Sequence, residues 1–169
     1  GAYYGDAKMK VAKLDISKWK RPSPETIPSH AKAAGLYMIC TLSKHAAERD
    51  GYADALMLDY RGQVAEATGA NIFFVRDGAL HTPTPDCFLN GLTRQTAIKL
   101  ARERGIEVIE RAIFPDELST FSECFITGSA AEITPVAEIG EHVYKPGQIS
   151  ETLVNDYTAL VNGQLELAL

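Results

Sequence analysis

Four residues of this 169-residue chain carry groups that could do chemistry together: Lys32, Glu66, Thr93 and Ser129. Lys32 lies in TIPSHAKAAGLYM, among small and apolar neighbours that a solvent-facing lysine would not need. A lysine amine is a nucleophile only without its proton, and burial beside apolar groups disfavours the charged form. Such an amine can condense with an aldehyde. Taken alone, the stretch favours a lysine on the rim of a helix start that snorkels to water. Its company in the chain reverses that order.

Glu66 sits in the strand-like stretch VAEATGANIFF, with small residues around it and no lysine or arginine adjacent in sequence. A buried carboxylate needs a partner, either a distant arginine or a protonated ring nitrogen. Gly91-Leu92-Thr93 opens a helix, whose unpaired N–H groups and positive dipole end suit a phosphate. Thr93 either adds a hydroxyl to that cradle or only caps the helix. In TGSAAEITP, Gly128, Ser129, Ala130 and Ala131 let a backbone turn approach a phosphate or carboxylate closely; the alternative is a plain turn between strands. One lysine, one carboxylate and two backbone anion cradles are, together, the parts that pyridoxal phosphate requires.

The elements that must position these groups alternate unevenly. Residues 1–16 read as a strand, with Val11, Leu14 and Ile16 apolar. Lys18 to Pro28 holds three prolines and reads as a solvated, locally basic loop. A helix is expected from near Ser29 or Ala31 to about Arg49, with Ser29 as a candidate cap and Gly51 ending it. DALMLD reads as a buried strand, followed by a turn at Arg61-Gly62. VAEATGANIFFV and ALHTP flank Asp77-Gly78, a hairpin signal. TRQTAIKLARERG is an amphipathic helix, IEVIERAI a strand and PDELSTF a short helix. ECFITGS and EITPVAEIG read as strands, and a last helix runs roughly from Ile149 to Leu165. At least one hairpin among these elements predicts a mixed α+β domain rather than a doubly wound parallel sheet.

Composition bounds the class. Apolar residues make up 46% and charged residues 23%, the balance of an ordinary globular domain with its own core. The net charge of −5 argues against a general nucleic-acid or membrane-surface role. No apolar run is long enough to cross a bilayer, and no leader opens the chain, so a cytoplasmic location is expected. Cys40, Cys87 and Cys124 lack paired spacing, which fits a reducing compartment, and the scattered histidines make a structural metal site unexpected. The opening GAYYG reads like the interior of a fold, so an upstream segment is expected.

The chain resembles the C-terminal domain of fold-type IV pyridoxal-phosphate enzymes, the branched-chain-amino-acid aminotransferase family. The resemblance is carried, in order, by TIPSHAKAAGLYM, VAEATGANIFFV-RDG-ALHTP, GLTRQTAIKLARERGIEV and TGSAAEITPV, and it covers nearly the whole chain. Leu36 stands where the family often has asparagine, and Ala70 where branched-chain enzymes commonly have an acidic residue. The resemblance implies a mixed sheet or pseudo-barrel with flanking helices over residues 1–169, with a smaller N-terminal domain absent from this chain. It implies Lys32 as the Schiff-base lysine and proton shuttle, and Tyr37 as the hydrogen-bond partner of the cofactor's phenolic oxygen. It implies Glu66 at the pyridine nitrogen, and Leu92, Thr93 and Ser129 at the phosphate. Ser129, Ala130 and Ala131 would meet the substrate carboxylate.

The activity so implied is ping-pong transamination between an amino acid, branched-chain L-amino acids foremost, and a 2-oxo acid such as 2-oxoglutarate. Relatives are usually dimers or larger, so a homo-oligomer is expected. Alternatives on the same fold are a D-amino-acid or (R)-amine transaminase and an aminodeoxychorismate lyase. An alternative of another class is a non-catalytic binding or assembly domain, against which the joint presence of Lys32 and Glu66 speaks.

Overall fold

The computed structural model describes residues 11–167. Much of the strand expected over residues 1–16 lies outside them. The strands are β1 (Ala12–Arg21), β2 (Asp54–Asp59), β3 (Val64–Ala67), β4 (Asn71–Arg76), β5 (Ala79–Pro83), β6 (Val108–Arg111), β7 (Glu123–Gly128), β8 (Glu132–Ile139) and β9 (His142–Val143). The helices are α1 (Met38–Arg49), α2 (Leu92–Glu103) and α3 (Gln148–Val161).

The strands form one curled sheet in the order β3-β2-β1-β8-β7-β4-β5-β6, with β9 on β8. The pairs β1–β2, β1–β8 and β5–β6 are parallel, and the rest are antiparallel. Two of the parallel pairs follow from helical crossovers, α1 between β1 and β2 and α2 between β5 and β6. The Val64 N–H donates to Ile113 O at 2.8 Å, which brings the two ends of the strand order together. The result is the mixed half-barrel with flanking helices that the sequence implied.

Alternation along β4 shows how the sheet has two insides. Ile72 and Phe74 point into the barrel core with Leu14, Leu56, Ile113 and Ile126. Phe73 and Val75 point to the other face, where α2 and α3 cover them through Ala97, Leu100, Ala101 and Leu153. Ring stacking reinforces both layers: Phe74 on Phe121 at 4.8 Å and Phe73 on Phe125 at 5.0 Å. The β4–β5 hairpin turns at Asp77 (φ 53°) and Gly78 (φ 78°), the paired left-handed conformations that an Asp-Gly turn supplies.

Three local expectations change. β1 continues to Arg21, through residues read as loop; Pro22 ends it by removing the next N–H donor. α1 starts at Met38, not near Ser29 or Ala31, and residues 34–36 form only a 3₁₀ turn. Ala33 there is extended, and the Ser29 hydroxyl donates to Asp86 O at 3.2 Å, so Ser29 caps nothing. The stretch 64–75 is two strands, because the Ala67 N–H bonds Ala70 O across a tight turn at Thr68-Gly69. The three cysteines are buried and free.

Candidate functional site

A cavity of about 420 Å³ opens where the 28–37 segment, the β3–β4 turn, the start of α2 and the end of β7 converge. Lys32, Tyr37, Glu66, Leu92, Thr93 and Ser129 all line it. Ala130 and Ala131 do not line it; Ala130 is exposed and Ala131 packs into the barrel core. Residues as far apart in sequence as His30 and Ser129 therefore share one concave surface.

Glu66 is the buried acid of the site, 9% exposed. β3 places it there, paired with Met57 of β2. Its partner is an arginine from β1, not one from the surface: Arg21 Nε lies 3.3 Å from Glu66 Oε1, and Arg21 is 3% exposed. The contact is an ion pair without hydrogen-bond alignment, since Arg21 Nε has no hydrogen-bond partner among the described residues. Burial, with nearby Asp54 adding to it, outweighs that attraction and pushes the Glu66 carboxyl up to about 8. Behind the acid, Thr68 Oγ1 donates to Asp54 Oδ1 at 2.5 Å. The guanidinium is fixed at its other end, where Nη1 donates to Leu36 O at 2.9 Å and to Cys40 Sγ at 3.1 Å.

Tyr37, next to that carbonyl, is half-buried. Burial, then the nearby Glu66, raises the phenol above its ordinary range, so it stays a neutral hydrogen-bond donor. Lys32 is exposed, as are Ala33, Ala34 and Gly35. The buried setting expected for Lys32 is thus corrected: residues 32–35 are exposed, with Lys32 at the lining of the cavity.

One end of the cavity is built by the start of α2. Its N-cap is Gly91, which has no side chain to occupy the first-turn N–H groups. Thr93 therefore does not cap the helix; it is 6% exposed and turned to the cavity. On the opposite wall Thr127 is 1% exposed, and its Oγ1 has no hydrogen-bond partner among the described residues. A buried hydroxyl without a partner costs free energy that a ligand oxygen would recover. Gly128 lets β7 pass close by, since a Cβ there would stand 3.3 Å from Gly69 O.

Sequence reasoning missed Arg21, Asn71, Thr127 and His30, all of which line the cavity or hold its acid. The signal for Asn71 was a lone amide at the head of the apolar run NIFFV. Arg21 was masked by the basic, proline-flanked segment around it. Elsewhere, Asp59, Asp86 and Cys87 bring ligand-type atoms within 4.8 Å of one another. Arg61 already bridges the two carboxylates, at 2.7 and 2.8 Å. No described helix is long and apolar enough to cross a membrane.

The fold and this cavity define a class. The chain matches the amino-transferase class IV family over residues 2–139, and it belongs to that family. It is similar to the probable branched-chain-amino-acid aminotransferase of Rickettsia conorii, 38% identical over 156 residues, spanning 90% of this chain and 54% of the relative. The branched-chain-amino-acid aminotransferase of Escherichia coli is likewise 38% identical, over 98% of this chain and 55% of its own length. Among solved structures, the branched-chain aminotransferase of Thermoproteus uzoniensis with norvaline superposes with a TM-score of 0.93 at 37% identity, covering 98% of this chain and 55% of the other. The Thermobaculum terrenum enzyme in its PLP-form superposes at 0.89 and 38% identity, covering 93% and 53%. The chain spans about half the length of the relatives it matches.

Proposed function

We propose that this chain is the larger, cofactor-holding domain of a pyridoxal-phosphate-dependent aminotransferase acting on branched-chain L-amino acids with 2-oxoglutarate as amino acceptor. One observation carries the reading: an amine, a buried carboxyl and an uncapped helix start face one cavity. The residues present fit the cofactor. Glu66, held near a pKa of 8 beside a half-engaged guanidinium, is suited to share a proton with a ring nitrogen. The uncapped N–H groups of α2 and the unpartnered Thr127 hydroxyl suit phosphate oxygens. The names of similar proteins, including one in PLP-form and one with norvaline, support the cofactor and the substrate class.

Pyridoxal phosphate, when bound, supplies an electron-accepting ring that acidifies the substrate's Cα–H. Glu66 would pair with the ring nitrogen and favour its protonated form. Tyr37 would donate a hydrogen bond to the cofactor's phenolic oxygen. Leu92 and Thr93 backbone N–H groups, the Thr93 hydroxyl and Ser129 hold the phosphate. Lys32 Nζ would anchor the cofactor and would serve as the general base for the substrate's Cα proton. Ser129, the member of the 129–131 turn that lines the cavity, would meet the substrate carboxylate. A second, smaller domain covers the exposed Lys32 side in the complete enzyme and excludes water there. The enzyme works in the cytoplasm as a homodimer or larger homo-oligomer.

The test uses the full-length natural protein with added pyridoxal phosphate. Transfer of the amino group from L-leucine to 2-oxoglutarate, abolished in Lys32→Ala, is expected. Turnover of D-alanine, or release of pyruvate from aminodeoxychorismate, with L-leucine inert, would replace this reading by one of its same-fold relatives.

A further inference from the structure

Asn71 is the first residue of β4, 5% exposed, and stands opposite Thr127 on β7. Its amide has two donor hydrogens and an acceptor oxygen, and the structure uses both ends. Nδ2 donates to Leu89 O at 2.9 Å and reaches Glu66 Oε2 at 3.4 Å. Oδ1 accepts from the Gly91 N–H at 3.2 Å. One short side chain therefore touches the acid on β3 and the residue that opens α2. The approach at Gly91 is close: a Cβ there would stand 2.6 Å from Asn71 Oδ1. Glu66 is thus held at both oxygens, Oε1 by Arg21 and Oε2 by Asn71.

We propose that Asn71 is a positioning residue that holds the Glu66 carboxyl and the amino end of α2 at one fixed separation, so that the ring-nitrogen partner and the phosphate cradle are set as a pair. The proposal rests on the pyridoxal-phosphate reading of the cavity. Its chemistry explains why an amide is needed. Aspartate keeps the oxygen facing the Gly91 N–H but loses both donors and sets a second carboxylate beside Glu66. Alanine loses both ends and leaves Leu89 O and the Gly91 N–H without this partner. Among the described residues, Arg21 on β1, Asp54 on β2, Tyr37 before α1 and Cys40 on α1 face Glu66, and Lys32 and His30 line the same cavity. None is altered by these substitutions.

The test uses the full-length natural protein stripped of cofactor, with inorganic phosphate as the probe. Phosphate affinity is measured by calorimetry, and the Glu66 titration by carboxyl carbon-13 NMR. In Asn71→Ala, phosphate binding weakens about tenfold, the loss of one effective hydrogen bond. In the same variant the Glu66 pKa rises by about one unit as the carboxylate loses a donor. Asn71→Asp raises it further, through like charge. A folded Asn71→Ala in which either quantity matches wild type overturns the proposal, because a purely local role at one end moves only one of them. If Asn71→Ala does not fold, Asn71→Asp decides: an unmoved Glu66 titration overturns the proposal. Wild-type protein that takes up no pyridoxal phosphate, with both shifts present, defeats the cofactor reading and leaves the positioning role standing.

Discussion

Arg21 Nε sits 3.3 Å from Glu66 Oε1, and both side chains are buried. Through Nη1 the same guanidinium holds Leu36 O, one residue before Tyr37. The arginine therefore ties the acid of the site to the turn that leads from Lys32 into α1. Removing one member of a buried ion pair leaves the other uncompensated. Arg21→Met is expected to destabilise the full-length protein by about 3 kcal/mol above about pH 8, where Glu66 is ionised, and by less at neutral pH, where its carboxyl is mostly neutral. Denaturant unfolding of cofactor-free protein checks this, and a change below about 1 kcal/mol would show that the pair contributes little.

The acid also sets a pH dependence. Burial raises Glu66 from its ordinary 4.5 to about 8. The folded state then binds a proton more tightly than the unfolded chain. The neutral carboxyl's contribution is fully present below about 4.5 and is lost as pH rises through about 8. Cofactor-free protein should lose stability across that window, by an amount on the order of a few kcal/mol. Glu66→Gln should flatten this limb, as read from thermal midpoints at pH 5 through 9. An identical slope in the variant would assign the effect to another group.

Gly91 is where the start of α2 meets Asn71, the residue that also reaches Glu66. Gly91→Ala must displace Asn71 Oδ1, which a Cβ would approach at 2.6 Å. Overpacking of this kind costs about 1–3 kcal/mol. The variant should also bind inorganic phosphate more weakly than wild type. Calorimetry showing unchanged phosphate affinity would mean the cradle does not depend on this contact.

The barrel core should behave as a packed interior. Phe74 is fully buried and stacks on Phe121. Phe74→Ala is expected to cost about 3–5 kcal/mol through lost burial and a residual cavity. Equilibrium unfolding measures this directly, and a loss under about 1 kcal/mol would contradict the core as described.

The site was legible where chemistry and backbone demand coincide in sequence. Lys32, Glu66, Thr93 and Ser129 each sit in a local pattern with its own physical reason, and they converge on one cavity. The elements α2, β7 and β8 were legible because their periodicity is strong and glycines punctuate them. What stayed hidden depends on long-range partners. Arg21 lies 45 residues before Glu66, and nothing local separates it from its solvated neighbours Lys18 and Lys20. Asn71 earns its role from Leu89 and Gly91, across a hairpin and a loop. The start of α1 was misplaced because alanines favour a helix from residue 31, while the Ser29 hydroxyl on Asp86 O and Arg21 Nη1 on Leu36 O hold the preceding segment in an irregular path. The exposure of Lys32 was not readable either, since sequence neighbours do not show what covers a segment in space.

The most direct test of the central claim is covalent. Full-length natural protein is incubated with pyridoxal phosphate, reduced with borohydride and digested, and the modified peptide is identified by mass spectrometry. The account predicts a single stoichiometric pyridoxyl adduct on Lys32, absent in Lys32→Ala. An unmodified Lys32, or a stoichiometric adduct on another lysine, would contradict it.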